Sequence, residues 1–464
     1  MPNTAQPVPT CLQRYLSTLT VAWIFVIGIL VSVVVPPFQS PDEFEHITRA
    51  YLLGKGNIVL TAPSGQSSGG MVDAGLVRYM EIFAPLPFKS ERKLSDKEIS
   101  EAGEIGWTSS EIFRPALGMA YYFPGIYAVH MLGLKFGEWL GLSVDTSYKL
   151  CRLFLLFSTC LILFYSFQIY RPPTVVLALL VIPMSLFQFA SASLDGIATA
   201  LAIFIISVCL NAQVKKEAFK SGLFYLAIAA WLLLASSRLQ LFSMILLPAM
   251  LVWTVRRYRD EVVVVFAALA VIVWQIVVLK TIVDGRVSLG ASSSEILRFY
   301  LLDPSKFADV IGNTLGNTQL IKGYFSSFFG ILGWLDTPFK GAEYKYLFFI
   351  TVLLALLSVD YKGLTQHLSV RTALVLSGLG AVATIFLAML VTWTPHPALY
   401  IDGVQGRYFL IPAVLIAYAL SGQAIWLSRP KVEKTIMITM FFFALYCAVI
   451  TMNVLLERYY ISAN

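Results

Sequence analysis

Residues 36–53 read Pro-Pro-Phe-Gln-Ser-Pro-Asp-Glu-Phe-Glu-His-Ile-Thr-Arg-Ala-Tyr-Leu-Leu and follow directly on the first long apolar run of the chain. Ser40 followed three residues later by Glu43 matches a capping box, and Pro41 suits a first helical position. On the resulting helix, the apolar side chains of Phe44, Ile47 and Tyr51 occupy one face. The polar side chains occupy the other face: Asp42, Glu45, His46 and Arg49. The stretch therefore predicts a short amphipathic helix at a membrane surface, with its polar side open to water.

The rest of the chain is strongly apolar. Hydrophobic residues make up 58% and charged residues 13% of the 464 residues, and the mean hydropathy is +0.74, which excludes an ordinary soluble domain. Runs long enough to span a bilayer occur at 18–35, 149–169, 174–190, 196–212, 221–236, 240–255, 262–282, 344–359, 372–392, 408–427 and 435–456. We therefore predict an all-α integral membrane protein with about eleven transmembrane helices, within a range of about ten to thirteen.

Short basic clusters between these runs indicate the orientation. With the N-terminus in the cytoplasm, every short basic link falls on one side, as the positive-inside rule requires. The links contain Arg171; Lys215, Lys216 and Lys220; Arg256, Arg257 and Arg259; Lys362 and Arg371; and Arg429, Lys431 and Lys434. The net charge of +7 is thereby explained by topology, so we expect no nucleic-acid partner.

Two long segments fall on the external side of a single polytopic domain that covers residues 1–464. They are a first loop, 36–147, with amphipathic interfacial helices, and a second loop, 283–343. This alternation of successive links between the two sides of the membrane requires that the run at 118–134 does not cross. Pro and Gly interrupt this run, so we expect it to lie at the interface or to form a re-entrant segment. In the first loop, neither the Gly/Ser-rich patch at 64–70 nor the charged stretch at 91–104 has the pattern of a packed core. We expect each of them to be a mobile lid or a simple loop.

Ionisable residues gather at the external ends of the predicted helices. They are Asp42, Glu43, Glu45, Asp195, Arg238, Asp336 and Arg407. Ionisable groups at membrane depth are costly, so their default interpretation is functional. Because all of them face one leaflet, they predict a site on the outer face of the membrane.

Three motifs carry a resemblance to a known family. They are Pro-Pro-x-x-x-Pro-Asp-Glu-x-x-His-x-x-Arg-Ala at 36–50, Gly-Trp-Leu-Asp-Thr-Pro at 333–338 and Gly-Val-Gln-Gly-Arg-Tyr-Phe at 403–409. In this order they resemble a bacterial family of multi-spanning membrane proteins that is grouped with the GT-C superfamily of glycosyltransferases. The resemblance runs from the first predicted crossing to the tenth.

The resemblance implies a GT-C-like fold, a sugar donor linked to a polyprenyl phosphate, and an external active site. It also implies an acidic base in the first external loop, a position that Asp42 matches. Asp195 is similar to the second acidic residue that such enzymes often carry near the outer end of the third crossing. Enzymes of this type that use monosaccharide phospholipids often need no metal.

The residue types suit this chemistry without the resemblance. Attack of an acceptor hydroxyl on an anomeric carbon needs one base, for which we assign Asp42. The phosphate leaves as an anion and needs positive charge, which Arg238 and Arg407 can supply as a donor-phosphate clamp. One base without a covalent intermediate predicts inversion at the anomeric carbon, although a retaining route stays open.

The other candidates have structural alternatives. Glu43 and Asp195 are further catalytic candidates, but each also suits a helix-capping position. The substrate-binding candidates are His46, Arg49, Asp336, Gln405 and Tyr408. Asp336 also fits a turn aspartate, and Arg238 also fits a side chain that snorkels to the interface. The histidines are scattered, so we expect no metal site, with a divalent cation at Asp42 and Glu43 as the less favoured alternative.

The sequence thus predicts a multi-pass glycosyltransferase of a bacterial inner membrane, surrounded by membrane lipids and active on its external face. Its expected partners are a polyprenyl-phosphate-linked sugar and a cell-surface glycan or lipid-linked acceptor. One alternative is a flippase or transporter of lipid-linked glycans, which predicts polar residues along a path to both leaflets. Another is a polymerase or ligase of lipid-linked glycans, which differs in its donor.

Overall fold

The structure is a computed structural model that describes residues 11–215, 221–255, 258–359, 367–421 and 430–461. It is predominantly helical, as predicted for an all-α membrane protein. The helices are α1 Cys11–Val34, α2 Glu43–Gly54, α3 Ala74–Phe83, α4 Asp96–Glu104, α5 Ala128–Trp139, α6 Val144–Ile169, α7 Thr174–Val181, α8 Pro183–Ala190, α9 Asp195–Lys215, α10 Ser221–Ser237, α11 Leu246–Val255, α12 Tyr258–Thr281, α13 Ser293–Leu302, α14 Pro304–Gly316, α15 Thr318–Phe329, α16 Gly341–Ser358, α17 Leu368–Thr392, α18 Leu410–Leu420 and α19 Pro430–Tyr459. Short 3-10 segments occur at Met119–Tyr121, Pro124–Tyr127, Leu239–Ile245 and Gly406–Phe409.

Among the described residues, 7 helices are long and apolar enough to cross a membrane: Tyr15–Val34, Val144–Ile169, Asp195–Gln213, Tyr258–Thr281, Gly341–Ser358, Leu368–Thr392 and Lys434–Tyr459. Three further apolar stretches are shorter: Gly222–Ser237, Leu239–Thr254 and Gly406–Leu420. The run at 174–190 is divided into α7 and α8, because Pro183 begins the second helix. Every predicted apolar run therefore contains helix, and the number that cross stays a prediction.

Contacts between helix ends form two groups, as expected for a chain that alternates in direction. On the side of the long segments, three pairs meet: Val34 with Tyr460, Ser236 with Phe123, and Asp336 with Arg458. On the opposite side, three other pairs meet: Val175 with Ser358, Val359 with Ser421, and Ala419 with Arg371. Of the basic residues used for orientation, six lie outside the described residues: Lys216, Lys220, Arg256, Arg257, Lys362 and Arg429.

The first external segment contains more regular structure than the sequence indicated. Strand β1 (Gly69–Asp73) pairs antiparallel with β2 (Glu111–Pro115), and α3 and α4 lie between them in the chain. The loop predicted at 64–70 therefore ends in a strand. The loop predicted at 91–104 contains α4, whose N-terminus forms a complete capping box between Ser95 and Glu98.

This segment also has its own hydrophobic core. Phe38, Ile47, Val72 and Leu76 are fully buried and pack with Tyr148 of α6. The expectation of two simple loops was wrong in part, because Gly69 and Gly70 belong to β1 and α4 packs Ala102 into this core. A second short pair is formed by β3 (Ile331–Leu332) and β4 (Thr337–Pro338), and both small sheets are consistent with an otherwise all-α protein.

The run at 118–134 does not form one continuous helix. It is broken into two 3-10 segments and α5, which has 12 residues and is too short to cross a bilayer. α5 packs against α6 and leaves Leu132, Phe136 and Trp139 exposed. An exposed apolar stripe on a short helix beside a membrane span is what an interfacial helix requires.

The second external segment is mainly helical. It contains α13, α14 and α15, and Ile296 and Tyr300 of α13 pack against Phe386 of α17 and Ile401. This small core holds the segment against the C-terminal end of α17. The chain then enters α16 through β3 and β4.

The helix predicted from the opening stretch differs from its prediction in two respects. It begins at Glu43 rather than Pro41, because Asp42 is the N-cap residue and has a left-handed backbone. It is also buried on nearly all sides, including His46 and Arg49. β1, β2 and α5 pack against α2, so His46 and Arg49 of the predicted polar face are buried, whereas Asp42 and Glu45 stay partly exposed.

Candidate functional site

Four of the predicted charged residues meet in one place. Arg238 Nη2 lies 2.6 Å from Asp195 Oδ1, and Arg407 Nη1 lies 3.5 Å from Asp195 Oδ2. Arg407 Nη2 also donates to Asp42 Oδ2 over 3.1 Å. We call these residues the inner cluster: Asp42, Asp195, Arg238 and Arg407.

Each member of the inner cluster comes from the end of a different element. Asp42 precedes α2, Asp195 is the first residue of α9, and Arg238 follows α10. Arg407 lies in the 3-10 turn before α18. Gly406, just before it, packs so closely on Tyr324 and Phe328 that a Cβ would overlap their backbone. Helix termini thus deliver all four side chains to the side of the long segments.

The inner cluster is buried and close to neutral as a whole. Exposed fractions of the side chains are 4% for Arg407, 9% for Arg238 and 13% for Asp195, against 31% for Asp42. The negative charges of two carboxylates balance the positive charges of two guanidiniums. Buried charges are tolerated when they are paired in this way. Asp42 is the most accessible member, and its Oδ1 accepts no hydrogen bond from the described residues.

Both arginines keep an unused donor. The Nε atoms of Arg238 and Arg407 are buried and have no acceptor in the described part of the chain, and the buried Oε1 of Gln405 has no donor there. Buried donors without partners are rare in proteins and call for a ligand or water. An anion with several oxygens can satisfy such donors.

The backbone around Asp42 is strained and firmly held. Asp42 has φ 64° and Phe38 has φ 62°, a conformation that aspartate tolerates and that is unusual for phenylalanine. Tyr148 accepts a hydrogen bond from Phe38 N, and Trp334 donates to Phe38 O. The ring of Phe38 stacks on Phe44 at 4.7 Å between centroids. Strain that is held by this many contacts is typical of functional loops.

Glu43 is in a different environment from its neighbour. Its carboxylate, which is fully buried, pairs with Arg152 and accepts from Tyr148 and from the backbone N–H groups of Ser40 and Ala192. Only half of the predicted capping box forms, because the Ser40 hydroxyl points to Gln188 instead. All its oxygens are occupied, so the contacts favour a structural role for Glu43 over catalysis. They also leave it no lone pair to share with Asp42 around a cation.

Arg152 connects this network to α1. Besides Glu43, it donates to the carbonyl oxygens of Ser32, Val35 and Pro36. It therefore caps the C-terminus of α1 and holds the start of the external segment. Among the described residues, no group of three or more His, Cys, Asp or Glu side chains is arranged to hold a metal ion.

His46 and Arg49 lie on the same helix, but their side chains have different partners. His46 Nδ1 lies 2.8 Å from Tyr127 OH, and burial, followed by the charge of Arg238, lowers the pKa of His46 to about 3. The imidazole is therefore neutral at pH 7 and lies near Asp195. Arg49 instead donates to the carbonyl oxygens of Asn57 and Ile58 and fixes the end of α2, and these contacts favour a structural role over the predicted contact with substrate.

Of the remaining predicted residues, two lie near the inner cluster and one lies elsewhere. Tyr408 lies beside the inner cluster, since Arg407 Cζ is 5.4 Å from its ring centroid. Gln405 immediately precedes the same 3-10 turn. Asp336 belongs elsewhere: it pairs with Arg458 at 2.8 Å and accepts from Phe88 N. Its partners favour a structural role at the end of α19 over the predicted substrate binding.

Sequence reasoning missed two arginines that act electrostatically on Glu45, which it had included among the ionisable residues. Glu45 is one helical turn further along α2, and Arg114 and Arg286 act on it electrostatically from β2 and from the segment after α12. Burial, reinforced by the charge of Asp42, raises the pKa of Glu45 to about 7. Glu45 stood in the opening stretch, but nothing local in the sequence marked the two arginines.

A family model described as a predicted membrane protein (DUF2142) matches residues 25–416, which include every residue of the inner cluster. The description gives a membrane location and no reaction. No curated protein matches the chain.

Proposed function

The chain belongs to the DUF2142 family of predicted membrane proteins, and we propose that it is an integral membrane glycosyltransferase of GT-C type. It transfers a sugar from a polyprenyl-phosphate donor to a cell-surface glycan or lipid-linked acceptor. The inner cluster carries this proposal, because it combines an accessible carboxylate with two buried arginines that keep unused donors. The proposed location is a bacterial inner membrane, with the N-terminus in the cytoplasm and the cluster outside.

In the proposed reaction Asp42 is the base. Its free Oδ1 takes the proton of the acceptor hydroxyl as that oxygen forms a bond to the anomeric carbon. The bond from the anomeric carbon to the phosphate oxygen breaks, and its electron pair leaves on the polyprenyl phosphate. Arg238 and Arg407 stabilise the added charge through their unused N–H groups, in a site with little competing water.

Asp195 has a positioning role in this proposal. One oxygen holds Arg238 and the other holds Arg407, so it sets the spacing between the two guanidiniums. It also prevents two buried cations from repelling one another before the donor binds. These contacts favour this role over the direct catalysis that the sequence suggested for Asp195.

The direct test is replacement of the base. Asp42→Asn keeps the side-chain shape, and asparagine also tolerates the left-handed backbone of this position. The variant should fold normally and consume a polyprenyl-phosphate-linked sugar at least about 10²-fold more slowly, because a general base contributes about 10²–10⁴. The assay is consumption of donor by purified protein, after a panel of monosaccharide donors has identified the one that wild type uses.

Asp309→Asn is the matched control, since Asp309 is exposed on α14. It should turn over like wild type. Unchanged turnover in Asp42→Asn would remove Asp42 from the role of base. Movement of intact donor across the membrane without consumption would favour the transporter alternative, and consumption of only diphosphate-linked oligosaccharides would favour the polymerase or ligase.

A further inference from the structure

A stretch of the second external segment carries no charged residue. Residues 323–335 read Gly-Tyr-Phe-Ser-Ser-Phe-Phe-Gly-Ile-Leu-Gly-Trp-Leu, and Lys322 and Asp336 bound them. The first part of this stretch is the C-terminal part of α15, and the rest contains β3 and the turn that follows it. An apolar stretch of this length is too short to span a bilayer and is typical of a core helix or of a re-entrant segment.

One face of α15 packs on the turn that carries Arg407. A Cβ on Gly406 would overlap the carbonyl oxygen of Tyr324 and the amide nitrogen of Phe328. Gly406 N also donates to Ser327 Oγ over 2.8 Å. The helix and the turn therefore approach backbone to backbone, and α15 forms one wall of the inner cluster.

A second face of α15 is apolar and unpartnered within the described residues. Ile321 and Phe325 lie one turn apart on it and are 39% and 37% exposed. The ring centroid of Phe325 lies 5.5 Å from that of Phe348 on α16. Phe348 and Phe349 are themselves exposed, on a helix that is long and apolar enough to cross a membrane. The exposed face of α15 is therefore continuous with the surface that α16, as a membrane span, presents to lipid.

The neighbouring helices give the depth of this contact. The rings of Tyr346 on α16 and Tyr446 on α19 lie 4.5 Å apart, so these two residues are at one level. A rise of about 1.5 Å per residue places Arg458 about 18 Å beyond Tyr446 and Gly341 about 8 Å before Tyr346. α16 therefore begins about 10 Å below the end of α19 that faces the long segments. Phe348, which contacts α15, lies deeper still.

Protein groups satisfy the backbone at the deep end of α15. The carbonyl oxygen of Gly330, which follows the helix, accepts from the Tyr344 hydroxyl at 2.7 Å. The same hydroxyl accepts from Phe339 N at 3.1 Å. A Cβ on Gly330 would lie 3.3 Å from Cβ of Pro183, where the apolar run of α7 and α8 is broken. Irregular backbone inside a bilayer requires partners of this kind.

Polarity changes along α15 in the same direction as depth. Its N-terminal turns expose Thr318, Gln319 and Lys322, and Asn317 caps the helix. From Gly323 onward the helix has no charged residue. A helix that lies flat in the interface has polar and apolar faces along its whole length. The change along α15 instead fits a helix whose N-terminus is at the surface and whose C-terminus is inserted.

We propose that α15 is inserted in the leaflet on the side of the long segments, with Ile321 and Phe325 against lipid acyl chains. Its other face holds the turn of Arg407, so a single helix separates the inner cluster from lipid. The acyl region is the occupant of the exposed face, because this face is uncharged and continuous with that of α16. Lys322 extends its ammonium toward the headgroups, as long basic side chains do.

The test is the collisional accessibility of nitroxide labels on the full-length protein in liposomes. Single cysteines are introduced in a Cys11→Ser background, in which the other cysteines are buried. A label at Phe325→Cys should collide with oxygen and be protected from the water-soluble nickel complex NiEDDA, like a label at Phe349→Cys on α16. Lys97→Cys, exposed on α4, is the aqueous control and should collide freely with the nickel complex. The ratio of oxygen to nickel collisions should be smaller at Ile321→Cys than at Phe325→Cys, since residue 321 is nearer the surface.

Two results would overturn the proposal. Nickel collisions at Phe325→Cys equal to those at Lys97→Cys would place this face of α15 in water. Protection from both oxygen and nickel would show that protein covers the face, and dipolar broadening that disappears on dilution with unlabelled chain would identify a second copy. Thermal melting shows whether each labelled protein is folded, and Ile321→Cys carries the same test if Phe325→Cys does not fold. No readout uses turnover, so the outcome is independent of Asp42 and of the proposed glycosyl transfer.

Discussion

Asp42 and Glu43 are adjacent residues that serve different parts of the molecule. The left-handed backbone of Asp42 turns its carboxylate toward Arg407, while the first turn of α2 turns Glu43 toward Arg152. Asp42 keeps a free oxygen and partial exposure, and Glu43 is enclosed by donors. The same chemical group is thus available for reaction at one position and committed to structure at the next.

Replacement of Glu43 should therefore reduce stability. Glu43→Gln leaves the buried Arg152 without its counter-charge, which typically costs about 3–5 kcal/mol. Thermal unfolding in detergent should show a clearly lower midpoint than wild type. Glu104→Gln, at an exposed position of α4, is the control and should melt with wild type. A Glu43→Gln midpoint equal to that of wild type would refute the structural role and reopen the catalytic one.

At the scale of elements, close packing of α5 on α6 fixes the interfacial helix. A Cβ at Gly133 would lie 2.5 Å from Cys151 Cα, and one at Gly137 would overlap Ser147. The two glycines face α6 one turn apart, so the helices approach backbone to backbone. This contact, and not the hydropathy of α5 alone, keeps the helix against the side of the membrane domain.

Gly133→Ala should separate these helices and destabilise the protein by about 1–3 kcal/mol, because overpacking against backbone has no easy relief. Gly103→Ala is the matched control: it lies in α4 with no atom within 4 Å of the new Cβ. Alanine should be neutral or stabilising there by up to about 1 kcal/mol, since glycine is the weaker helix former. Equal melting of the two variants would show that the α5–α6 contact is looser than described.

At the scale of the whole molecule, the orientation can be tested by labelling. In a Cys11→Ser background the other cysteines, at 151, 160, 209 and 447, are buried. Ser90→Cys in the first external segment should react with a membrane-impermeant maleimide in intact cells. Ser369→Cys, at the opposite end of the bundle and exposed, should react only after the membrane is opened. The reverse pattern would place the inner cluster in the cytoplasm and exclude a donor delivered from outside.

The sequence by itself determined the membrane class and the helical runs, and it predicted that the unusual charges share one end of the helices. These features depend on local hydropathy and on the distribution of lysine and arginine, so they can be predicted without knowing which helices touch. Its candidates Asp42, Asp195, Arg238 and Arg407 do meet, because each stands at a helix terminus on the same side of the helix bundle.

Only the tertiary structure decided how those charges are paired. Glu43 and Arg152 are 109 residues apart in the chain, and Asp336 and Arg458 are 122 apart. No local pattern encodes such pairs, since they follow from which helix ends pack together. The structure likewise shows that α2 is largely buried and that Arg49 donates to backbone carbonyl oxygens. It also shows that Arg114 and Arg286 act electrostatically on Glu45 in the stretch at 36–53. Helix packing thus separated the carboxylate that is free to react from the one that holds the fold.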